Sequence, residues 1–129
     1  MFQSQIAFPV TFLLEADVAD ETYAVWKAPF AGEVIDLWAV AGATLTAGAG
    51  TGLAITLQNG GQAGTATTAI GTVGSGTADT GWVADTIHAG SIGVATFVAG
   101  DVLCIQYNET GTYNPDWVSV GFNVRYGTS

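Results

Sequence analysis

The sequence predicts an all-β protein, an antiparallel β-sandwich of jelly-roll type with about eight to nine strands. Three observations lead to this fold class. No helical spacing of apolar residues persists along the chain. Runs of roughly six to ten β-branched, aromatic and small residues are separated by turn residues, and 18 glycines punctuate the chain. At 129 residues we expect one domain, residues 1–129, with enough length to bury a core.

About nine segments fit the pattern of a strand bounded by turn signals. In chain order they are residues 8–15, 22–28, 33–41, 52–58, 67–73, 82–88, 94–98, 101–108 and 117–126. Because successive side chains of a strand point to opposite faces, alternation predicts which residues enter the core. In three of these strands the expected core side chains are those of Leu53, Ile55, Leu57, Leu103, Ile105, Tyr107, Val118, Val120, Phe122, Val124 and Tyr126.

Two turns predict hairpins. Asn59-Gly60 follows the strand-like LAITLQ, and Asn-Gly favours the positive φ angles of a two-residue type I′ turn. Gly100-Asp101 separates GVATFVA from VLCIQYN. We expect this second turn to pair the strand 94–98 with the strand 101–108.

The strand 33–41 carries apolar side chains on both faces. Alternation places Ile35, Leu37 and Ala39 on the face expected to be in the core, and Val34, Asp36, Trp38 and Val40 on the other. A sandwich strand needs only one buried face. The second face, with its tryptophan, therefore either fills a gap on its own sheet or is covered by another molecule.

Charged residues make up only 10% of the chain, and the formal net charge is −9. Nucleic acids and anionic membranes are bound through lysine and arginine, and this chain has two such residues, Lys27 and Arg125. We therefore exclude both kinds of partner. A surface built mainly from uncharged polar residues favours a protein that works within an assembly.

Few residues could perform chemistry. Cys104 is the only cysteine and His88 the only histidine, and neither lies in a nucleophile motif. We interpret Cys104 as a small buried hydrophobe and His88 as a strand-end or interface residue. The acidic segment from Glu15 to Glu21 lacks the spacing of a calcium loop, so we expect a solvated loop, with cation binding left open. We predict no catalytic residues, no cofactor and no metal site.

The apolar run near the N-terminus lacks the features of a signal peptide, and no run reaches the roughly 20 residues of a membrane span. We therefore expect a soluble, unprocessed chain.

The tryptophans give the most specific hypothesis. Trp38 and Trp117 fall opposite the predicted core residues, and tryptophan is enriched at protein contacts. We predict an interface formed by Trp38, Asp36, Trp117 and Arg125. Tryptophan also stacks on sugars. The alternative is thus a ligand loop formed by Tyr113, Asn114 and Asp116 beside Trp117, in a receptor- or carbohydrate-binding module.

Four segments, in the order VWKAPFAGEVIDLWAVAG, LAITLQNGG, VAGDVLCIQYN and VSVGFNVRY, resemble the small β-sandwich proteins that decorate tailed-bacteriophage capsids, the cement or head-fibre type. This resemblance implies a non-enzymatic virion structural protein on the capsid exterior. It also implies the major capsid protein as partner, assembly as a homotrimer, and synthesis in the bacterial host cytoplasm. The alternative function is a receptor- or carbohydrate-binding module of a phage fibre or tail.

Overall fold

A computed structural model describes residues 7–14, 21–46, 52–75, 81–110, 115 and 117–127, and within them the protein is an antiparallel β-sandwich of two sheets. The predicted fold class is confirmed. The ten strands are β1 (Ala7–Leu14), β2 (Glu21–Lys27), β3 (Gly32–Ala41), β4 (Gly52–Asn59), β5 (Thr68–Ser75), β6 (His88–Ala89), β7 (Ser91–Ile92), β8 (Thr96–Phe97), β9 (Val102–Thr110) and β10 (Val118–Tyr126).

The strand pairing is nested. β1 pairs with β10, β2 with β9, and β3 with β8, all antiparallel. The first sheet has the order β1-β10-β3-β6, with β8 also on β3, and the second has the order β2-β9-β4-β5-β7. A long hairpin wound onto itself in this way produces two sheets that share one core, which is the jelly-roll arrangement.

The core lies between the sheets, where most of the predicted inward residues are buried. Leu53, Ile55 and Leu57 are each 0% exposed, and so are Leu103 and Ile105. Two of the four tryptophans also belong to this interior. Trp82 is 1% exposed, and Trp26 packs edge-on against Phe97, with ring centroids 5.3 Å apart.

The prediction for β3 is correct for Leu37 and Ala39 but wrong at the start of the strand. Val34 is buried in the core and Ile35 is 40% exposed. The cause is a β-bulge. Asn123 of β10 pairs with Asp36 and the next residue pairs with Val34, so Ile35 has no cross-strand partner and the alternation reverses there.

The predicted Gly100-Asp101 hairpin is wrong, although the turn exists. Gly100 has φ +91° and Asp101 N–H donates to Val98 C=O at 3.1 Å. However, β8 pairs with β3 in the first sheet while β9 belongs to the second. The turn therefore carries the chain from one sheet to the other.

The Asn59-Gly60 turn is also longer than predicted. β4 and β5 do pair, with Asn59 opposite Thr68, but residues 60–67 connect them. Asn59 Oδ1 accepts a hydrogen bond from Gly61 N–H at 2.9 Å. Gly60 and Gly61 then exchange backbone hydrogen bonds with Val102, which directs residues 60–67, here called the β4–β5 loop, back towards β9.

Two further predictions need correction. Residues 82–88 do not form a strand, because Asp85 has φ +58° in a turn, and only an isolated bridge joins Trp82 to Leu45. Tyr126 is 57% exposed rather than in the core, since it ends β10 and its ring packs against Phe30 with centroids 5.3 Å apart.

Candidate functional site

The outward side of the first sheet carries all four residues of the predicted interface. We call it the tryptophan face. Its described members, taken from β1, β10, β3, β6 and β8 together with Gly42, Ile87 and Trp117, are Pro9, Thr11, Leu13, Glu33, Asp36, Trp38, Val40, Gly42, Ile87, Ala89, Thr96, Trp117, Ser119, Gly121, Asn123 and Arg125. Along each strand these positions alternate with residues that face the core, so strand geometry points their side chains away from it.

Each tryptophan of this face lies over a glycine on the chain segment beside it. Trp38 is paired with Gly121, and a Cβ added to Gly121 would overlap the indole. Trp117 sits in the same way over Gly42, whose N–H donates to Trp117 C=O at 2.9 Å. Both indoles are half-buried by their own sheet. The protein itself therefore covers part of each indole.

Aliphatic side chains lie on one side of Trp38. Leu13 lies opposite Ser119, which lies opposite Val40, and Trp38 lies opposite Ala89. Leu13 is 57% exposed, and Ile87, immediately before β6, is 68% exposed. On the Val40 side of Trp38 the tryptophan face is thus apolar and open to solvent.

The charged residues of β3 and β10 all lie towards one end of the face. Asp36 accepts hydrogen bonds from Asn123 Nδ2 at 3.2 Å and from Leu37 N–H at 3.1 Å. Arg125 forms an ion pair with Glu33, through side chains that are 28% and 21% exposed. These contacts hold Asp36 and Arg125 as a polar border beside the apolar part of the face.

Other predicted sites lie outside the described residues. They are Tyr113, Asn114 and Asp116 of the alternative ligand loop, and residues 15–20 of the acidic segment, while the backbone of Glu21 begins β2. No group of three or more His, Cys, Asp or Glu side chains that could hold a metal ion occurs among the residues that are described.

His88 and Cys104 have structural partners. His88 Nε2 accepts a hydrogen bond from Val83 N–H at 3.1 Å, and its ring lies 4.8 Å from that of Trp82. Cys104 is 2% exposed, as expected for a buried residue, but on the outward side of the second sheet. Burial raises the pKa of its thiol.

Asp101 ties the β8–β9 turn to the β4–β5 loop. Its carboxylate is 7% exposed and accepts hydrogen bonds from Val98 N–H at 3.0 Å, Asn59 Nδ2 at 3.0 Å and Gln62 Nε2 at 2.8 Å. The hydrogen bond from Val98 is the largest of the causes that set the pKa of Asp101, and it lowers that pKa. Burial raises the pKa, and the hydrogen bonds from the Asn59 and Gln62 amides lower it further. This carboxylate therefore folds as an anion with a structural role.

A cavity of about 370 Å³ lies on the opposite side of the molecule, between the β4–β5 loop and the outward face of the second sheet. The described residues that line it are Thr22, Ala24, Gln58, Gly64, Thr65, Ala66, Thr67 and Cys104. None of these side chains is charged. This cavity could not be predicted from the sequence, because an Asn-Gly signal indicates a short turn, which would leave the sheet uncovered.

Gln58 is the unusual member of the cavity wall. It is 5% exposed, and Nε2 donates to Gln106 Oε1 at 3.3 Å. Its own Oε1 is buried and accepts no hydrogen bond from the part of the chain that the structure describes. A signal for it exists in the sequence, since glutamine in the otherwise apolar LAITLQ falls on the outward register.

No protein-family model matches the chain, and no curated protein matches it. One similar solved chain belongs to the structure of infectious bursal disease virus, Gx strain, with a TM-score of 0.40 and 13% identity. The match covers 96% of this chain and 33% of the viral chain. At this level of similarity the viral chain supports no conclusion about function.

The described residues contain no helix long and apolar enough to cross a membrane.

Proposed function

We propose that this chain is a non-enzymatic structural protein of a virion, which binds the outside of an assembled phage capsid through the tryptophan face and stabilises it. The observation that carries the proposal is the composition of that face. Trp38 has exposed aliphatic side chains on one side, and the charged groups lie at the opposite end of the face. Contiguous exposed apolar surface bordered by polar groups is typical of protein contact sites.

The low charge of the whole chain supports the same proposal. With 10% charged residues, the protein has little of the charged surface that keeps a free monomer from associating. Its two basic residues make contact with encapsidated nucleic acid unfavourable, and Arg125 is already engaged with Glu33. The partner we propose is the major capsid protein, with no nucleic acid and no membrane involved.

Binding an assembled shell would stabilise it by mass action. A protein that binds the lattice but not the free subunits shifts the equilibrium towards the lattice by RT ln(1 + [L]/Kd). Many copies on one shell add avidity if they are joined, and the resemblance to decoration proteins implies a homotrimer. Light scattering of the purified protein, and of the protein released from shells, tests this oligomeric state.

The test is co-sedimentation of the protein with assembled shells and, separately, with unassembled capsid protein of the virus that encodes it. We expect pelleting with shells only. Replacing Trp38→Ala or Ile87→Asp should weaken pelleting by about tenfold or more, because anchors in a buried interface typically contribute 2 kcal/mol or more. Circular dichroism and urea unfolding check that each variant is folded.

Val98→Asp is the matched control. Val98 is 56% exposed, close to the 68% of Ile87, but it lies in the β8–β9 turn, just after the residue that pairs with Gly32 at the start of β3, and so is far from Trp38. It should bind shells as the wild type does. If all these folded variants bind shells equally, the tryptophan face is not the binding surface. If the wild type does not bind shells, the capsid is not its partner.

The alternative function, a receptor- or carbohydrate-binding module, predicts hits on a glycan array that are lost on Trp117→Ala. Of its proposed residues the structure describes Trp117, which lies over Gly42. Glycan binding without shell binding would favour this alternative over capsid decoration.

A further inference from the structure

The cavity under the β4–β5 loop has features of a small-molecule site that the proposed function does not use. Its volume of about 370 Å³ falls at the small end of the range for ligand pockets, which begins near 300 Å³. Strands β2, β9 and β4 form one wall of the cavity, and the β4–β5 loop forms the other. Such a cavity suits a ligand of few atoms.

The polarity of the walls restricts the ligand. The side chains facing the cavity are hydroxyls, methyl groups, one thiol and one carboxamide, and none carries a charge. Transferring an ion from water into such surroundings is costly without a countercharge. A neutral ligand therefore fits these walls better than an ion does.

Gln58 determines which hydrogen bond a ligand can form with the cavity wall. Its Oε1 is a buried acceptor with no donor from the described residues, while Nε2 is held by Gln106. A buried polar atom without a partner destabilises a fold, and a ligand that supplies the donor recovers that loss. Because the last torsion of glutamine is soft, a small rotation of the amide presents the oxygen to the cavity.

We infer that this cavity binds a small neutral carboxamide, whose N–H donates to Gln58 Oε1 while its apolar part lies against the alanine and threonine methyl groups. A carboxamide both donates and accepts, so it complements the Gln58 amide and the threonine hydroxyls in the same wall. The group could come from an N-acylated sugar or from the amide side chain of a peptide.

Cys104 provides a built-in reporter. It is the only cysteine of the chain, lines the cavity, and lies directly opposite Gln58 in the pairing of β4 with β9. Iodoacetamide is a neutral carboxamide that alkylates thiolates. The sulfur forms an S–C bond as the C–I bond breaks, iodide leaves, and the thiol proton goes to water. Iodoacetate performs the same reaction with a charged carboxylate.

The experiment compares the rates at which the two reagents alkylate Cys104 in the whole folded protein, each divided by its rate with N-acetylcysteine at the same pH. The raised pKa of the thiol cancels because both reagents attack the same thiolate. We expect iodoacetamide to be favoured by about tenfold, the scale of one hydrogen bond at a buried acceptor. Its rate should saturate with concentration, and acetamide should protect Cys104 where sodium acetate does not.

Two variants test the role of the Gln58 amide and the role of the cavity space. Gln58→Met keeps the side-chain length but removes the acceptor, so saturation and selectivity should be lost while resistance to urea is equal or higher. Ala66→Leu fills the cavity from the loop and should slow both reagents without altering the sheet. Protection by N-acetylglucosamine or by N-acetylglutamine amide then distinguishes a sugar source from a peptide source.

Three outcomes would overturn the inference. They are a Cys104 that reacts with neither reagent until the protein unfolds, a normalised rate ratio near one, and a folded Gln58→Met variant that keeps saturation and protection. None of them depends on capsid binding, so this inference and the proposed function fail separately.

Discussion

The indole of Trp38 lies directly over Gly121 of the neighbouring strand, in the space that a side chain at position 121 would occupy. Gly121 is buried although it is on the outward side of the first sheet, because the indole covers it. This pair explains how a tryptophan can remain on an outer face in the isolated chain. It leaves the other side of the ring for a partner.

Gly121→Ala should displace the indole and destabilise the protein by about 1–3 kcal/mol, the usual cost of overpacking. Urea unfolding followed by tryptophan fluorescence measures the change. In a Trp38→Ala background the same substitution should cost under about 1 kcal/mol, because the clash is gone and the two residues are coupled. Equal costs in both backgrounds would show that the indole does not sit on Gly121.

Asp101→Asn should lower the free energy of unfolding by about 2 kcal/mol near pH 7, because the carboxylate accepts three hydrogen bonds. One comes from Val98 within the β8–β9 turn, and two join this turn to Asn59 at the end of β4 and to Gln62 in the β4–β5 loop. The pKa of Asp101 is lowered from 3.8. Its stabilisation is therefore complete above that value and is lost as the pH falls through the folded pKa.

The measurement is urea unfolding of both proteins from neutral pH down through the acid range, where the two curves should converge. Asp85→Asn is the control. Asp85 is exposed with φ +58°, a conformation that asparagine also adopts, so this change should cost under about 0.5 kcal/mol. A gap between wild type and Asp101→Asn that persists at acid pH would contradict an anionic role.

Trp82→Phe should destabilise the fold by about 2–4 kcal/mol. Trp82 is 1% exposed, and its Nε1 donates to Leu53 C=O at 3.2 Å, so the smaller ring leaves a cavity and an acceptor without its donor. Thermal unfolding and near-ultraviolet circular dichroism measure the effect. Val83→Ala, next in sequence and 57% exposed, should change stability by no more than about 0.5 kcal/mol.

Arg125→Gln should cost less than about 1 kcal/mol, because partly exposed ion pairs contribute little and are screened by salt. The loss should shrink as sodium chloride is raised, and it should be smaller still in a Glu33→Gln background. A loss above about 2 kcal/mol that salt does not change would instead give Arg125 a core structural role, and would weaken its assignment to the polar border of the tryptophan face.

Local pattern alone predicted much of the core and the outward placement of the residues on the tryptophan face. Leu53, Ile55 and Leu57 alternate with outward residues and are all buried, because a regular strand between two sheets obliges every second side chain to enter the core. For the same reason Trp38 and Trp117 could be placed outward. What alternation could not show was the bulge at Ile35, since an unpaired residue is defined by the partner strand and not by its own segment.

The sequence by itself determined that this protein is an acidic, charge-poor β-sandwich with tryptophans outside its core, because composition and period-two alternation are local properties. The tertiary structure decided which strands pair. It placed β8 against β3 instead of β9, seated Trp38 on Gly121, and turned the β4–β5 loop over Gln58. These contacts join residues far apart in the chain, so the sequence of any one segment does not reveal them.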